Sequence, residues 1–405
     1  MRVLIFTQHF TPEITAARSR LHPIAELLAA RGHDVEVITA VPNHPQGVVQ
    51  EGFRHKLSVR RELEGFRVRH VWVRPSPNKT VLNRLLLYGS FATSATLAGV
   101  VSRRPDVIFA SSPPLPVAVA ARAVAIRHRV PWVMDVRDLW PEAAVILGEL
   151  TNPRMIRAAE RLERRLYASA AAIVTVTDAF SSDIAAKTTD DGKISVIPNG
   201  TTRLWIDAGE ADVSRAELEL PEDRFLWTYA GNVGIAQGLE AAVDAAAQLG
   251  DDFQLLIIGG GPQMEEIKER AAALPAGRIA FRGLVEPALA ARYLRASDAT
   301  LVTLAARPEL AKFVPSKLFD CCAVGRPVIL AAEGESRRLA AEREAVYPVA
   351  PGDPAALANA VRALHGDAAL RDRLAQQGRA FASEYLRERQ IADLERVLQA
   401  AVEGG

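Results

Sequence analysis

Short apolar runs alternate with amphipathic stretches along nearly the whole chain, the pattern of parallel strands layered with helices. In the first half, Val3–Phe6, Val35–Thr39, Val68–Val73, Val107–Ala110, Trp132–Val136, Ile173–Thr177 and Ser195–Ile197 predict strands, with helical patterns between most of them. The alternation restarts at Phe225–Gly231, and further strands are expected at Gln254–Ile258, Ile279–Arg282, Thr300–Thr303, Val328–Ala331 and Val346–Val349. Between the halves, Thr201–Asp223 is polar, acidic and poorly periodic, which reads as a linker over a cleft. No short repeat is visible. The expected fold class is therefore α/β with two Rossmann-like domains facing each other across a cleft.

At 405 residues the chain exceeds what one core usually supports. A composition of 49% hydrophobic and 24% charged residues excludes disorder and a disulfide scaffold. Cys321 and Cys322, the only cysteines, are adjacent in an apolar stretch, which favours buried packing in a reducing compartment. The N-terminus turns polar after one short apolar run and reads as a first strand, so a cytoplasmic protein is expected. Leu85–Ser102 carries no charge and is long enough to be weighed as a membrane span. Its Ala, Ser, Thr and Gly content favours a buried or membrane-facing helix instead.

The net charge of +1 hides an asymmetry. Residues 1–205 hold 27 Lys and Arg against 18 Asp and Glu, a charge of +9, and the remainder holds 22 against 30, a charge of −8. Arg54, Lys56, Arg60, Arg61, Lys79, Arg84, Arg103 and Arg104 around the Leu85 helix present two readings: a solvated basic surface, or a face for anionic lipid and peripheral association at the inner face of the plasma membrane. No aromatic platform interleaves them, so nucleic acid is not an expected partner.

Candidate chemistry falls mostly in the second half. Thr7–Arg18, after the first strand, has no glycine, which disfavours a dinucleotide cradle there and with it a nicotinamide enzyme. After the first strand of the second half come Gly231, Asn232 and Gly234, and after the next come Gly259, Gly260 and Gly261 before Pro262. Such turns let backbone approach a phosphate, or simply punctuate the chain. Arg282, Gly283 and Leu284 end the third strand, where loops line a ligand crevice. Ser316, Lys317, Leu318 and Asp320 put a cation and a carboxylate one helical turn apart, suited to the phosphate and hydroxyls of a nucleotide sugar. No Asp-x-Asp motif and no His or Cys cluster has metal-ligand spacing.

These residues resemble the retaining GT-B glycosyltransferases of family 4, in the branch of WbuB- and WcaI-type enzymes of bacterial surface-polysaccharide assembly. The likeness covers essentially the whole chain: Pro12-Glu13 and Arg20, Arg31–Val35, Ser112–Pro114, Asp135–Pro141, Ile197–Gly200, Ala230–Gly234 with Gln237-Gly238, Gly259–Pro262, and Pro315–Lys317. The resemblance implies an acceptor-binding domain over residues 1–205, a nucleotide-sugar domain over 206–385, and a last helix at 386–405 packing back on the first. It implies no cofactor and no metal, a UDP-linked donor carrying an N-acetylhexosamine or related hexose, and a lipid-linked or small-molecule glycan acceptor.

By that resemblance Gly231, Asn232, Gly234, Gln237, Gly259–Gly261, Arg282–Leu284, Ser316–Leu318 and Asp320 bind the donor. His9, Thr15, Arg20 and Glu142 bind the acceptor, and Arg137, Asp138 and Lys317 sit at the reacting centre. There are departures. Asn232 and Gln237 stand where many relatives carry a diphosphate-clamping Arg and Lys, so Lys317 and Arg282 are expected to take the phosphate charge. Asp320 replaces the second of two family glutamates and takes the ribose role, while Lys312 falls at the first. Arg137-Asp138 replaces a His-Asp pair, and arginine is no general base at neutral pH. A nucleotide-sugar epimerase of the same fold and a non-catalytic nucleotide-sugar-binding subunit remain the alternatives.

Overall fold

The computed structural model describes residues 1–78 and 80–404; Lys79, one of the basic residues named above, lies outside them. Two compact units result: Met1–Pro198 with Glu388–Gly405, and Asn199–Arg387. The expected boundary at 205 thus moves back to 198.

In the first unit the strands are β1 (Arg2–Phe6), β2 (Asp34–Ala40), β3 (Ser58–Leu63), β4 (Phe66–Val71), β5 (Val107–Ser112), β6 (Trp132–Val136), β7 (Ala172–Thr175) and β8 (Ile194–Val196). They form one sheet in the order β3-β4-β2-β1-β5-β6-β7-β8, parallel except for the β3–β4 hairpin. The apolar runs of β1, β5 and β6 are buried almost end to end because helices cover both faces of a parallel sheet. β3 escapes the sequence reading: Ser-Val-Arg-Arg-Glu-Leu is largely exposed, a charged edge strand paired with β4. The final helix, Arg387–Glu403, lays Ile391, Leu394 and Leu398 into the core built on Val3, Ile5 and Val35.

Leu85–Ser102 lies within and just beyond the helix Val81–Val100, started by Thr80, whose side chain accepts from the Asn83 N–H. Phe91, Ala95, Ala98 and Gly99 are buried, and a Cβ on Gly99 would meet Val124 at 2.7 Å, so a stripe of mostly small residues lets this helix pack closely on Leu115–His128. Leu82, Leu85 and Leu97 remain exposed. No helix among the described residues is long and apolar enough to cross a membrane.

The second unit holds β9 (Phe225–Asn232), β10 (Phe253–Gly260), β11 (Ile279–Arg282), β12 (Ala299–Thr303), β13 (Val328–Ala331) and β14 (Tyr347–Val349), all parallel in the order β11-β10-β9-β12-β13-β14. The expected linker is a correction: within Thr201–Asp223 lies a helix, Arg203–Glu210, whose Trp205, Ile206 and Ala208 pack on this unit's core. Its apolar positions are too few to show a period by themselves. Cys321 and Cys322 are buried free thiols in that core.

Candidate active site

The order in which parallel strands are added to each sheet reverses at one place, between β1 and β5 in the first unit and between β9 and β12 in the second. Loops at the carboxyl ends of strands flanking such a reversal are where ligands of open α/β sheets bind.

In the second unit β9 and β10 stay paired to their ends, Gly231 opposite Gly259 and Asn232 opposite Gly260. Glycine is required there by contact: a Cβ on Gly259, at φ +130°, would lie 2.0 Å from the Gly231 carbonyl oxygen, and one on Gly231, at φ +143°, would lie 2.5 Å from Lys317 Nζ. Lys317 opens the short helix Lys317–Ala323 and lays its ammonium across the bare Gly231 backbone. Nζ sits 3.8 Å from the centroid of the Tyr229 ring and donates to Tyr229 Oη, which in turn donates to the Asn232 carbonyl. Burial brings the Lys317 pKa down to about 7, so its charge is weakly held until an anion arrives. Tyr229 is fully buried, and its phenol is pushed well up and stays protonated.

Asp320, one turn beyond Lys317, accepts from Thr201 Oγ1 at 2.9 Å. Burial lifts its pKa to about 7, against the opposing pull of Thr201 and Arg387. Asn232 Nδ2 donates to Gln237 Oε1 at 3.2 Å, so the two neutral replacements hold each other across the loop. Gly260 packs under the half-exposed Leu284, Gly283 accepts from the Gly259 N–H, and a Cβ on Gly261 would strike the Val233 carbonyl at 2.3 Å. Ser316 precedes the Lys317 helix without a side-chain capping bond.

Two further donor-site candidates are placed by internal contacts. Arg282 ends the edge strand β11, three places from β12, and its guanidinium reaches the carbonyls of Phe281 and Glu219. Leu318 is fully buried in the apolar core, so its side chain is closed to a ligand. Lys312 lies in the 3-10 turn Pro308–Lys312, half-buried.

In the first unit the corresponding loop is built from side chains. Glu13 is 3% exposed, and its carboxylate accepts from the backbone N–H of Asn43 at 2.6 Å, that of His44 at 2.8 Å, and His9 Nδ1 at 2.7 Å. Burial alone would raise its pKa, but His9 and the two backbone bonds hold it below the ordinary carboxylate value. Further along the same edge, Ser111 Oγ donates to Asp135 Oδ2 at 2.7 Å and accepts from Arg137 Nε at 2.8 Å, while Arg137 Nη2 reaches the Pro113 carbonyl. Asp138 stands beside Arg137, half-buried, and burial lifts its pKa to about 6 against the Arg137 charge. Glu142 is the first residue of the helix Glu142–Ile146, just after Pro141.

Two acceptor-site candidates, Arg20 and Thr15, also have internal partners. Arg20 is 3% exposed and its guanidinium donates to the wholly buried Asp135, at 2.9 Å from Nη2, and to the carbonyls of Ile197 and Pro198. Thr15 caps the helix Ala16–Ala30, accepting from the Arg18 N–H. Both are internal ties of the first unit. Glu13, Ser111, Thr201 and Tyr229 hold the candidates His9, Arg137, Asp320 and Lys317 and were not among the expectations; of the four only Glu13, in the Pro-Glu pair of the resemblance, carried a signal. Among the described residues, His22, Glu26 and Glu64 bring three potential metal ligands within 4.8 Å, but the His22 ring is already held between Thr11 and Glu64.

Two family models match the chain, one largely within each unit. The glycosyl transferase 4-like domain matches residues 15–200, and the glycosyl transferases group 1 domain matches residues 224–367. The chain belongs to the family 4-like GT-B glycosyltransferases. It is 28% identical over 345 residues, 82% of this chain and 84% of the relative, to the putative colanic acid biosynthesis glycosyl transferase WcaI of Escherichia coli. In fold it is similar to Anabaena HepE, solved with UDP and glucose, with a TM-score of 0.73 at 18% identity over 99% of this chain and 100% of that one. It is also similar to WaaG, a glycosyltransferase involved in lipopolysaccharide biosynthesis, at TM-score 0.68 and 17% identity over 94% and 95% of the two chains. The catalysed reaction is thus transfer of a sugar from a nucleotide-sugar donor.

Proposed function

We propose that this glycosyltransferase is a retaining, metal-independent enzyme that moves an N-acetylhexosamine or related hexose from a UDP-sugar to a hydroxyl of a lipid-linked glycan. The observation that carries the donor half is Lys317 laid over the Gly231 backbone where the strand order of the second sheet reverses. An ammonium and closely approachable backbone suit a diphosphate, and Asp320 on the same helix face suits ribose hydroxyls. HepE, with its UDP and glucose, supports the choice of base, and the name of WcaI supports polysaccharide assembly.

In the reaction the bond between the anomeric carbon and the diphosphate oxygen breaks as the acceptor oxygen bonds to the same face. The departing oxygen takes the acceptor proton. Lys317 and the backbone N–H groups of the glycine loop stabilise the charge that develops on the diphosphate. Arg137, fixed through Ser111 and Pro113, aims its remaining N–H groups at a sugar or phosphate oxygen. Tested with UDP-hexoses and UDP-N-acetylhexosamines in EDTA, the purified protein should transfer sugar with the anomeric configuration kept, as read by proton NMR of the product. Turnover without acceptor to an isomeric UDP-sugar would mark an epimerase, and binding without any turnover a carrier subunit. Inversion, or a strict magnesium requirement, overturns the corresponding part of the proposal.

The lipid-linked acceptor is favoured by the basic first half and by exposed Val81, Leu82 and Leu85 beside Arg84 at the start of the helix Val81–Val100. Leu82→Ser with Leu85→Ser should lower co-sedimentation with phosphatidylglycerol vesicles a few-fold, which equal binding would contradict.

A further inference from the structure

The loop after β1 holds two features that the donor chemistry does not use. The first is the fixed ring of His9. Glu13, ionised and saturated by two backbone donors, has only acceptor capacity to offer, so His9 Nδ1 must carry the proton of their 2.7 Å bond. Nε2, at the other side of a ring a quarter exposed, has no hydrogen-bond partner among the described residues. The second is Gln8. It is 1% exposed, and neither its amide nitrogen nor its amide oxygen has a partner, although the Gln8 carbonyl accepts from Ala40 N–H and Thr39 Oγ1. A buried primary amide left with both ends unpaired costs roughly 1–3 kcal/mol and marks a place where a polar group is expected.

We propose that Glu13 is a positioning residue that sets the His9 tautomer, so that His9 Nε2 accepts a hydroxyl of the acceptor sugar while the Gln8 amide pairs with a neighbouring hydroxyl. This rests on the transferase reading and assigns the acceptor side of it. A sugar hydroxyl both donates and accepts, so one can donate to the imidazole nitrogen while another pairs with the amide, which offers both roles. Nothing covalent happens at this loop. Its contribution is orientation of the attacking hydroxyl, the kind of placement that lowers the entropy cost of transfer. The His44 ring, edge-on to His9 at 5.2 Å between centroids, walls the other side of the imidazole.

The test is nitrogen-15 NMR of the histidine rings in the full chain, with methyl glycosides of glucose, galactose, fucose and N-acetylglucosamine as probes and uridine diphosphate as a control. Wild type should show His9 as the Nδ1–H tautomer, and at least one glycoside should shift Nε2 in a saturable way. In Glu13→Gln the ring should move to mixed tautomers and the dissociation constant for that glycoside should rise about tenfold, the loss of one hydrogen bond. His9→Gln should cost about the same, and adding Glu13→Gln to it should cost little more, because one acts through the other. Gln8→Met should weaken the glycoside separately. His9→Gln, at a partly exposed position, and Gln8→Met keep the test decisive should Glu13→Gln not fold. If uridine diphosphate binds but no glycoside shifts His9, or if the tautomer is unchanged in Glu13→Gln, the inference is overturned. Loss of uridine diphosphate binding in wild type would instead strike the donor reading.

Discussion

The two units begin alike, with a buried parallel strand running into a loop at the sheet's reversal point, yet the loops are made from opposite materials. After β1 there is no glycine, and the loop is held by side chains: Glu13 gathers His9 and two backbone N–H groups, and further along Arg20 meets Asp135 inside the sheet edge. At the ends of β9 and β10 the contact is made mainly by backbone, with Gly231, Gly259 and Gly261 packed closer than a Cβ allows beside the neutral Asn232–Gln237 pair, and an ammonium is brought in by Lys317, 88 residues along the chain from Tyr229. A phosphate is satisfied by any cluster of donors, which backbone supplies without discrimination. A sugar acceptor must be told apart from others by its hydroxyls, which calls for individually placed side chains.

The sharpest way to break this contrast is Arg20→Ala. It leaves Asp135 buried without its cation and should destabilise the first unit by about 3–5 kcal/mol, seen as a lowered unfolding midpoint in urea. A small loss of stability with a raised acceptor KM would return Arg20 to the acceptor site.

Lys317→Ala should weaken uridine diphosphate binding roughly 100-fold by calorimetry, the scale of a charge-assisted contact of about 2–3 kcal/mol, with the fold intact. Unchanged affinity would remove the cation from the donor site. Gly259→Ala adds a methyl group 2.0 Å from a carbonyl oxygen at a backbone angle that other residues avoid. It should cost about 1–3 kcal/mol of stability and lower donor affinity, whereas Thr11→Ala in the glycine-free loop should cost only the Thr11–His22 hydrogen bond, about 1 kcal/mol, and leave donor affinity unchanged.

The smallest effects are in pH. Asp320 titrates at about 7 in the fold against an ordinary 3.8, so its contribution to stability falls as pH rises from about 4 to 7. Lys317 titrates at about 7 against an ordinary 10.5, so its contribution rises between about 7 and 10. The ligand-free protein should therefore have a stability minimum near pH 7 from these two groups. Uridine diphosphate affinity should be greatest near the same pH, rising as Asp320 ionises and falling as Lys317 loses its proton. Asp320→Asn should remove the acid limb of both curves, and thermal unfolding followed across pH checks it.

Much of this was readable from sequence. Apolar runs gave thirteen of the strands because a strand buried on both faces has little choice of residue, and they failed at β3, where a charged edge strand looks like a loop. The glycine turns were legible because a backbone contact that excludes Cβ leaves only one residue type. Roles of polar residues were less so: Arg20, Arg282 and Thr15 all looked available for ligand and are internal ties.

By itself the amino-acid order determined two α/β units, their glycine-lined donor edge and the Ser316–Asp320 segment. Tertiary structure decided which charges face outward. Arg20 and Asp135 are 115 residues apart and Thr201 and Asp320 are 119 apart, and each pair meets only because the fold packs their separate elements together. Local periodicity fixes which face a residue takes on its own element. It carries no record of which element lies opposite, and for a polar side chain that neighbour decides whether its hydrogen bonds are closed inside the protein or left for a substrate.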